Sequence, residues 1–376
     1  MQKLVNVQYL RAIAALLVVL SHTLKELKNM EGLGFTDSLN LTLSGQFGVD
    51  IFFVISGFIM FYVTRNHKGT LKESWVFLQK RVVRIVPLYW VLTLVTILIS
   101  VLLSQYKNNN DIDVYYVVAS FLFIPAERAL DGNVTPVLGL GWTLNYEMFF
   151  YLIFAAGMLM PKKRFLPTVV LSFITIVVIG VFIDKSFTSV WYWTRPIIIE
   201  FVLGILVAYL YLSKFRLSNF VGGIVLAIGV ATWLISSSMI EASRPEFRLW
   251  FWGIPAALIV ASVMLTEKTV FSLLPQSVLN IVARIGDASF SLYLGHMFVI
   301  RALSIFLVPA VIGSSFPIFY LLIAILGAFV FAEFTYRFIE LPSNRYGLAF
   351  LGLNKPENKH ETPASTIKLD QKPPAI

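Results

Sequence analysis

The stretch QYLRAIAALLVVLSHT, residues 8–23, carries an arginine at Arg11 and a histidine at His22 inside an apolar run that extends from about residue 5 to 24. That length suits a helix crossing the hydrocarbon core of a bilayer. A secretory signal would have a short uncharged core followed by a small-residue cleavage site. Arg11 and the missing A-x-A pattern therefore predict a retained helix. Eleven positions separate the two ionisable residues, which sets them about 20° from the same helix face and roughly 16 Å apart along the axis. One face thus links the two membrane boundaries. Taken singly, Arg11 fits a side chain snorkelling to headgroups and His22 an interfacial histidine wetted by a loop.

The rest of the chain makes the membrane reading general. Of 376 residues 57% are hydrophobic and only 14% charged, with a mean hydropathy of +0.78, which excludes an ordinary soluble domain. Ten candidate spans lie near 5–24, 46–64, 86–104, 138–160, 166–183, 196–213, 219–239, 249–266, 287–309 and 317–337. We therefore expect an all-α polytopic membrane protein of about ten transmembrane helices. An even number puts both termini on one side. With the amino terminus in the cytoplasm, inner segments carry twenty Lys and Arg residues and outer loops eight, as the positive-inside bias requires. The net charge of +9 is thus explained without nucleic acid. The segment VYYVVASFLFIP (114–125) is too short to span and reads as interfacial or re-entrant. Residues 1–340 form the expected membrane domain and 341–376 a disordered cytoplasmic tail, with YGLAFLGL resting on the membrane surface. The absence of cysteine removes disulfides, thiolate metal sites and a cysteine-bound acyl intermediate.

Polar residues inside the spans mark the expected site. In GQFGVDIFFVISGFIM, Asp50 enters the bilayer at about the depth of His22, where a carboxylate can orient an imidazole and stabilise its protonated form; the plainer reading is a helix cap. Ser56 and Gly57 suit close helix packing. In LGLGWTLNYEMFFYLIF, Glu147 lies several residues inside the outer boundary, while Trp142 suits an interfacial anchor and Asn145 an interhelical hydrogen bond. RPIIIEFVLGILVAYL places Glu200 at similar depth beside Arg195. His22, Asp50, Glu147 and Glu200 are therefore expected to converge by depth. On the inner side, LQKRVVRIVPLYW delivers Lys80, Arg81 and Arg84 at spacings that cluster on one helix face, suited to phosphate or to simple charge anchoring. Ser289, Tyr293 and His296 share a face in DASFSLYLGHMFVI, and interhelical hydrogen bonding is the favoured role. Arg301 either meets an acidic glycan or pairs with Glu200. No His/Glu spacing predicts a metal.

Together these stretches resemble the acyltransferase-3 family of integral-membrane acyltransferases, most closely its bacterial exopolysaccharide O-acetyltransferase branch. The resemblance rests on YLRAIAALLVVLSH, FGVDIFFVISGFIM, KRVVRIVP, GWTLNYEMFFY, RPIIIEFVLGILVA and GDASFSLYLGHMFVI, over about residues 5–340. It implies a ten-helix enzyme of the bacterial cytoplasmic membrane that takes an acyl group, usually acetyl from acetyl-CoA, and passes it to a hydroxyl of a lipid-linked or surface glycan. By the same resemblance His22 corresponds to the catalytic histidine, Arg11 to the arginine serving the acyl-CoA channel, and Glu147 to the glutamate of W-[ST]-L-x-x-E. The family's two arginines four apart fall here on Lys80 and Arg84, which leaves Arg81 without a settled role. Many members carry a soluble esterase-like domain that this sequence does not show, so transfer by the membrane part alone is expected.

The chemistry of the residues agrees. A sugar hydroxyl needs a general base near neutral pH, and histidine suits that task; Asp50 or Glu147 would orient or support it. Direct transfer is favoured, with a histidine-acyl relay as the other route. A rival class is a secondary transporter or flippase for a lipid-linked glycan, which would also use buried carboxylates and an arginine. Another keeps the enzyme but moves succinyl or a different short acyl group. The acceptor glycan and the oligomeric state are not encoded in any readable pattern.

Overall fold

A computed structural model describes residues 4–29, 45–104, 113–129, 131–237, 246–267, 269–307 and 316–353. Among the described residues it is helical, with no strand beyond an isolated bridge between Leu217 and Thr266. The main helices are α1 (Val5–Asn29), α2 (Phe47–Thr64), α3 (Leu71–Ser104), α4 (Val114–Phe121), α5 (Trp142–Gly157), α6 (Lys162–Gly180) and α7 (Thr188–Trp193). They continue as α8 (Ile199–Leu212), α9 (Asn219–Ser237), α10 (Ile254–Leu265), α11 (Gln276–Asp287), α12 (Ser289–Phe306), α13 (Phe316–Thr335) and α14 (Leu341–Phe350). Among the described residues seven helices are long and apolar enough to cross a membrane, and the helices Pro196–Leu212 and Leu249–Leu265 are apolar but shorter. Each of the ten expected spans has a helical counterpart, although α5 also falls short at 16 residues. The chain is an all-α, multi-pass membrane protein.

Why the apolar runs become helices is a matter of solvent. In lipid every backbone N–H and C=O must be satisfied within the segment, and a single helix does that. Packing is then decided by small residues rather than by a hydrophobic driving force. The α2–α8 crossing shows it: a Cβ on Gly57 would lie 1.9 Å from the Phe201 carbonyl oxygen, and one on Gly204 would lie 1.9 Å from that of Val54. The two backbones touch through a reciprocal pair of glycines, which brings Asp50 of α2 and Glu200 of α8 into the same layer. Helices α1 and α2 lie at the centre, their inward faces buried, whereas α3, α6, α9 and α13 show large apolar side chains on their outer faces.

One expectation changes here. The tail does not begin at residue 341: a π-turn, Tyr336–Glu340, leads directly into α14, which packs back on α3 so closely that a Cβ on Gly347 would sit 2.7 Å from Val83. Residues 354–376 lie outside the described residues, as do Lys3, Lys107, Arg244 and Lys268 of the loop charge comparison. The 114–125 segment holds the short helix α4, capped by Asp113 accepting from the Tyr115 N–H. It is tied to α3 by the Tyr89 hydroxyl and the Trp90 indole N–H, which donate to the carbonyls of Ser120 and Phe121.

Candidate active site

His22 sits on α1 with its ring edge against α12. Its Nδ1 lies 2.9 Å from Nε2 of His296, and the two imidazoles stack at 5.1 Å between centroids. His296 is fully buried and its Nδ1 lies 3.0 Å from the Leu292 carbonyl oxygen. A carbonyl can only accept, so His296 carries its proton on Nδ1 and presents the Nε2 lone pair to His22. His22 in turn holds its proton on Nδ1, which leaves Nε2 as the free basic position. Two histidines on different helices thus fix one tautomer through a chain that ends on backbone.

His22 also lies where two cavities meet. One, of about 300 Å³, is bordered by Trp142, Tyr146, Tyr192, Arg195 and Arg248 as well as His22. The other, of about 800 Å³, is almost wholly apolar and runs between α3 and α12. Leu140 borders both. In the smaller one the rings of Tyr146 and Tyr192 stack at 4.4 Å, and the Tyr192 hydroxyl donates to the Trp142 carbonyl. Arg195 lies flat over Trp191, and its Nε and Nη2 are held by the carbonyls of Trp191 and Gly180.

A third cavity, of about 90 Å³, lies toward the Arg11 end of α1 and is bordered by Arg11, Ser56, Arg84, Glu147, Ser289 and Tyr293. Glu147 accepts from Ser56 at 3.2 Å and from the Tyr151 hydroxyl. Arg81 lies close to the Tyr151–Glu147 pair and over the Phe77 ring, its Nε buried. Lys80 points outward and is exposed. Of the expected basic cluster, Arg84 therefore reaches the cavity, where Arg11 of α1 joins it, while Arg81 stands just behind and Lys80 does not border it. Tyr293 and Val49 border both this cavity and the 300 Å³ one. The Tyr293 hydroxyl donates to the Leu140 carbonyl at 3.1 Å and accepts from Thr143 at 3.0 Å, closing the partition between the Arg11 end and His22.

Several expected pairings are replaced. Asp50 does not orient His22; it takes a two-point ion pair from Arg248, with Nη2 and Nε at 2.8 and 2.9 Å from its carboxylate. Glu200 lies fully buried beside Asp50, away from the cavities around His22. Glu147 belongs to the Arg11 cavity and not to the histidine. The four residues expected to converge by depth thus separate into three places: His22 with His296, Asp50 with Glu200, and Glu147 toward the Arg11 end. Arg301 pairs with Glu26 at 3.0 Å rather than with Glu200. The interhelical hydrogen bond expected of His296 is present, but its partner is His22. Trp142 borders the aromatic cavity, while Asn145 is buried below it and accepts from the Trp193 indole through its backbone. Arg248 was missed altogether. As a lone cation before an apolar run it reads as a loop residue, and only its stacking between Trp142 and Trp252 and its seat at a π-turn show otherwise.

A family model described as an acyltransferase domain matches residues 4–333. The chain belongs to this acyltransferase family. It is similar to the exopolysaccharide production protein ExoZ of Rhizobium meliloti (strain 1021), 32% identical over 81% of this chain and 91% of that protein. It also resembles a putative O-acetyltransferase of Staphylococcus aureus (strain COL), 27% identical over 91% of this chain. The O-acetyltransferase OatA of Staphylococcus aureus (strain MRSA252) is 26% identical over 87% of this chain. The match spans only 57% of the length of these two staphylococcal proteins. No solved structure matches the chain.

Proposed function

We propose that this chain is an O-acyltransferase of the bacterial cytoplasmic membrane that moves an acetyl group from acetyl-CoA to a hydroxyl of a surface or lipid-linked polysaccharide, with His22 as general base. The observation that carries the reading is the His22 imidazole bordering both cavities, with its Nδ1 engaged by His296, whose own Nδ1 faces the Leu292 carbonyl. Membership of the acyltransferase family supports the reaction class. The names of its relatives, an exopolysaccharide production protein and a putative O-acetyltransferase, support the acceptor class and the acyl group.

In this reading the Arg11 end faces the cytoplasm and both termini lie there. Arg84 and Arg11, with Arg81 behind them, receive the phosphates of the donor, and Glu147, held by Ser56 and Tyr151, offsets part of their charge. The thioester arm reaches His22 past Tyr293, whose hydroxyl must leave Leu140 or Thr143 to let it through. The acceptor sugar lies in the aromatic cavity against Trp142 and Tyr192. Its hydroxyl attacks the thioester carbonyl as His22 Nε2 takes the proton; the new C–O bond forms, the C–S bond breaks, and the proton passes to the departing thiolate. The neutral partner His296 accepts from Nδ1–H throughout, a positioning role that Asp50 was expected to fill. Asp50, Glu200 and Arg248 hold the α2–α8 layer and the Trp142 wall.

The test is to supply the purified protein in lipid with labelled acetyl-CoA and glycan extracted from the host cell, beside His22→Ala. Label should pass to glycan with the wild type alone. Transfer by the alanine variant at the wild-type rate would remove His22 from the reaction. No transfer by the wild type to any acceptor would return the molecule to the transporter class.

A further inference from the structure

The reaction as written holds one sugar in the aromatic cavity and gives the rest of the acceptor no place. A fourth cavity, a groove of about 430 Å³, lies between the connection that joins α3 to α5 and the one that joins α6 to α8, at the end of the bundle away from Arg11. Glu127, Thr188 and Ser189 border it, together with the rings of Tyr115 and Phe187. Tyr115 is 64% and Phe187 67% exposed, so both offer a ring face to a ligand. Aromatic faces beside a few convergent polar groups are the make-up of a small-molecule site. A sugar has both matching parts: a C–H face for a ring and hydroxyls that donate to a carboxylate.

The walls of the groove are fastened to each other. The Thr188 hydroxyl donates to Glu127 Oε1 at 2.8 Å, and the Ser189 hydroxyl donates to the Pro125 carbonyl at 2.7 Å. Phe123 turns the chain into this segment at a φ of 59°, a left-handed conformation held by its buried ring, which packs on Tyr89 at 4.8 Å. The same two strips of chain then run on into the aromatic cavity. On one, Ser189 and Val190 border the groove while Trp191 and Tyr192 border the cavity. On the other, Ala126 and Glu127 border the groove while Val134 and Thr135 border the cavity, and the Tyr116 hydroxyl pins the Thr135 carbonyl. An acceptor that fills both therefore carries more than one sugar.

Resting on the acyltransferase reading, we infer that this groove is a second glycan subsite, which holds a sugar of the acceptor beyond the one that is acylated. Its ring lies against Phe187 and Tyr115, and its hydroxyls donate to Glu127. These residues are remote from His22, so what they contribute is binding energy that holds the reacting hydroxyl at the imidazole. The enzyme therefore reads the length of its acceptor and prefers an oligosaccharide to the single sugars that compose it.

The experiment supplies the protein in lipid with labelled acetyl-CoA and size-fractionated fragments of the host polysaccharide, from single sugars to oligosaccharides. The wild type stands beside Phe187→Ala, Phe187→Tyr and Glu127→Gln, all changes at exposed positions, where substitutions alter stability little. The wild type should show a KM for oligosaccharides about tenfold or more below that for single sugars. Phe187→Ala and Glu127→Gln should each raise the oligosaccharide KM about tenfold, the order of one charge-assisted hydrogen bond lost. Neither should move transfer to single sugars or the KM for acetyl-CoA, and Phe187→Tyr, which keeps the ring, should stay near the wild type. A wild-type KM independent of fragment length, or an oligosaccharide KM that neither variant moves, would overturn the subsite and leave the acyltransferase standing. Equal losses on single sugars and oligosaccharides in Phe187→Ala and Glu127→Gln would make these residues scaffold and overturn it too. No transfer by the wild type to fragments of any length would remove the acyltransferase reading itself and this inference with it.

Discussion

Among the polar pairs that link helices, His22–His296 between α1 and α12 and Asp50–Arg248 between α2 and the turn before α10 differ in one respect. The histidine pair opens onto two cavities. In the ion pair only Arg248 borders a cavity, and both Asp50 oxygens are engaged by its guanidinium. A pair whose atoms are all engaged can stabilise an arrangement but has nothing left to offer a substrate. A pair that ends in a free lone pair can take a proton. Burial of an ionisable group in a membrane thus marks importance, and what remains unengaged on it separates chemistry from scaffold.

The sharpest way to break this comparison is Asp50→Ala. It leaves the Arg248 charge buried without its partner, so the folded protein should lose about 3–5 kcal/mol, read as a lower midpoint of thermal or denaturant unfolding in detergent and a lower membrane yield. Full stability with activity alone lost would place Asp50 in the chemistry and end the contrast.

His296→Ala should act in the opposite way. Membrane yield should hold while kcat falls about 10²-fold, less than where a charged carboxylate orients the base, with the donor KM unchanged. His296→Gln keeps an acceptor for the His22 Nδ1–H and should recover part of the rate. Equal activity in the two variants would argue that no hydrogen bond is needed there.

Arg84→Ala tests the far end of the same path. Loss of one charge-assisted contact of about 1.5–3 kcal/mol should raise the donor KM by about 10- to 100-fold with kcat little altered, measured by initial rates against acetyl-CoA. An unchanged KM would take the phosphates away from this cavity.

The smallest effect belongs to Asp131, in the loop that leads to the floor of both cavities. Hydrogen bonds from Arg128, followed by those from Asn133, hold its carboxyl below the usual carboxylate range. The contact is therefore fully present above an ordinary carboxylate pKa of about 3.9 and lost only as pH falls through the lower folded value. Asp131→Asn should change transfer by less than about twofold between pH 5 and 8, since exposed pairs contribute little. A larger change in that window, by rate or by protease cutting of the loop, would show that the loop is held chiefly by this pair.

Much of the site was readable along single helices. Arg11 and His22 share a face of α1, Arg81 and Arg84 share a face of α3, and Ser289, Tyr293 and His296 line one side of α12, all from helical spacing. The pairings were not readable, because His22 and His296 stand 274 positions apart and Asp50 and Arg248 stand 198 apart. Depth in the bilayer is encoded by distance along a span, but azimuth around the bundle is not. Asp50 and Glu200 fall side by side, away from the cavities around His22, while Glu147 falls with Arg11 and Arg84.

The sequence by itself determined that this chain is a helical membrane protein, which residues lie within its spans, and the resemblance to a family of acyltransferases. Composition, run length and the rule that backbone polar groups must be satisfied in lipid are local properties. Only the tertiary structure decided that His22 leans on a histidine, that Asp50 is spent on Arg248, and that an apolar cleft and an aromatic cavity meet at one imidazole. Those outcomes depend on which helix faces touch. In lipid that choice follows close packing, as at Gly57 and Gly204, rather than any periodicity one helix can display.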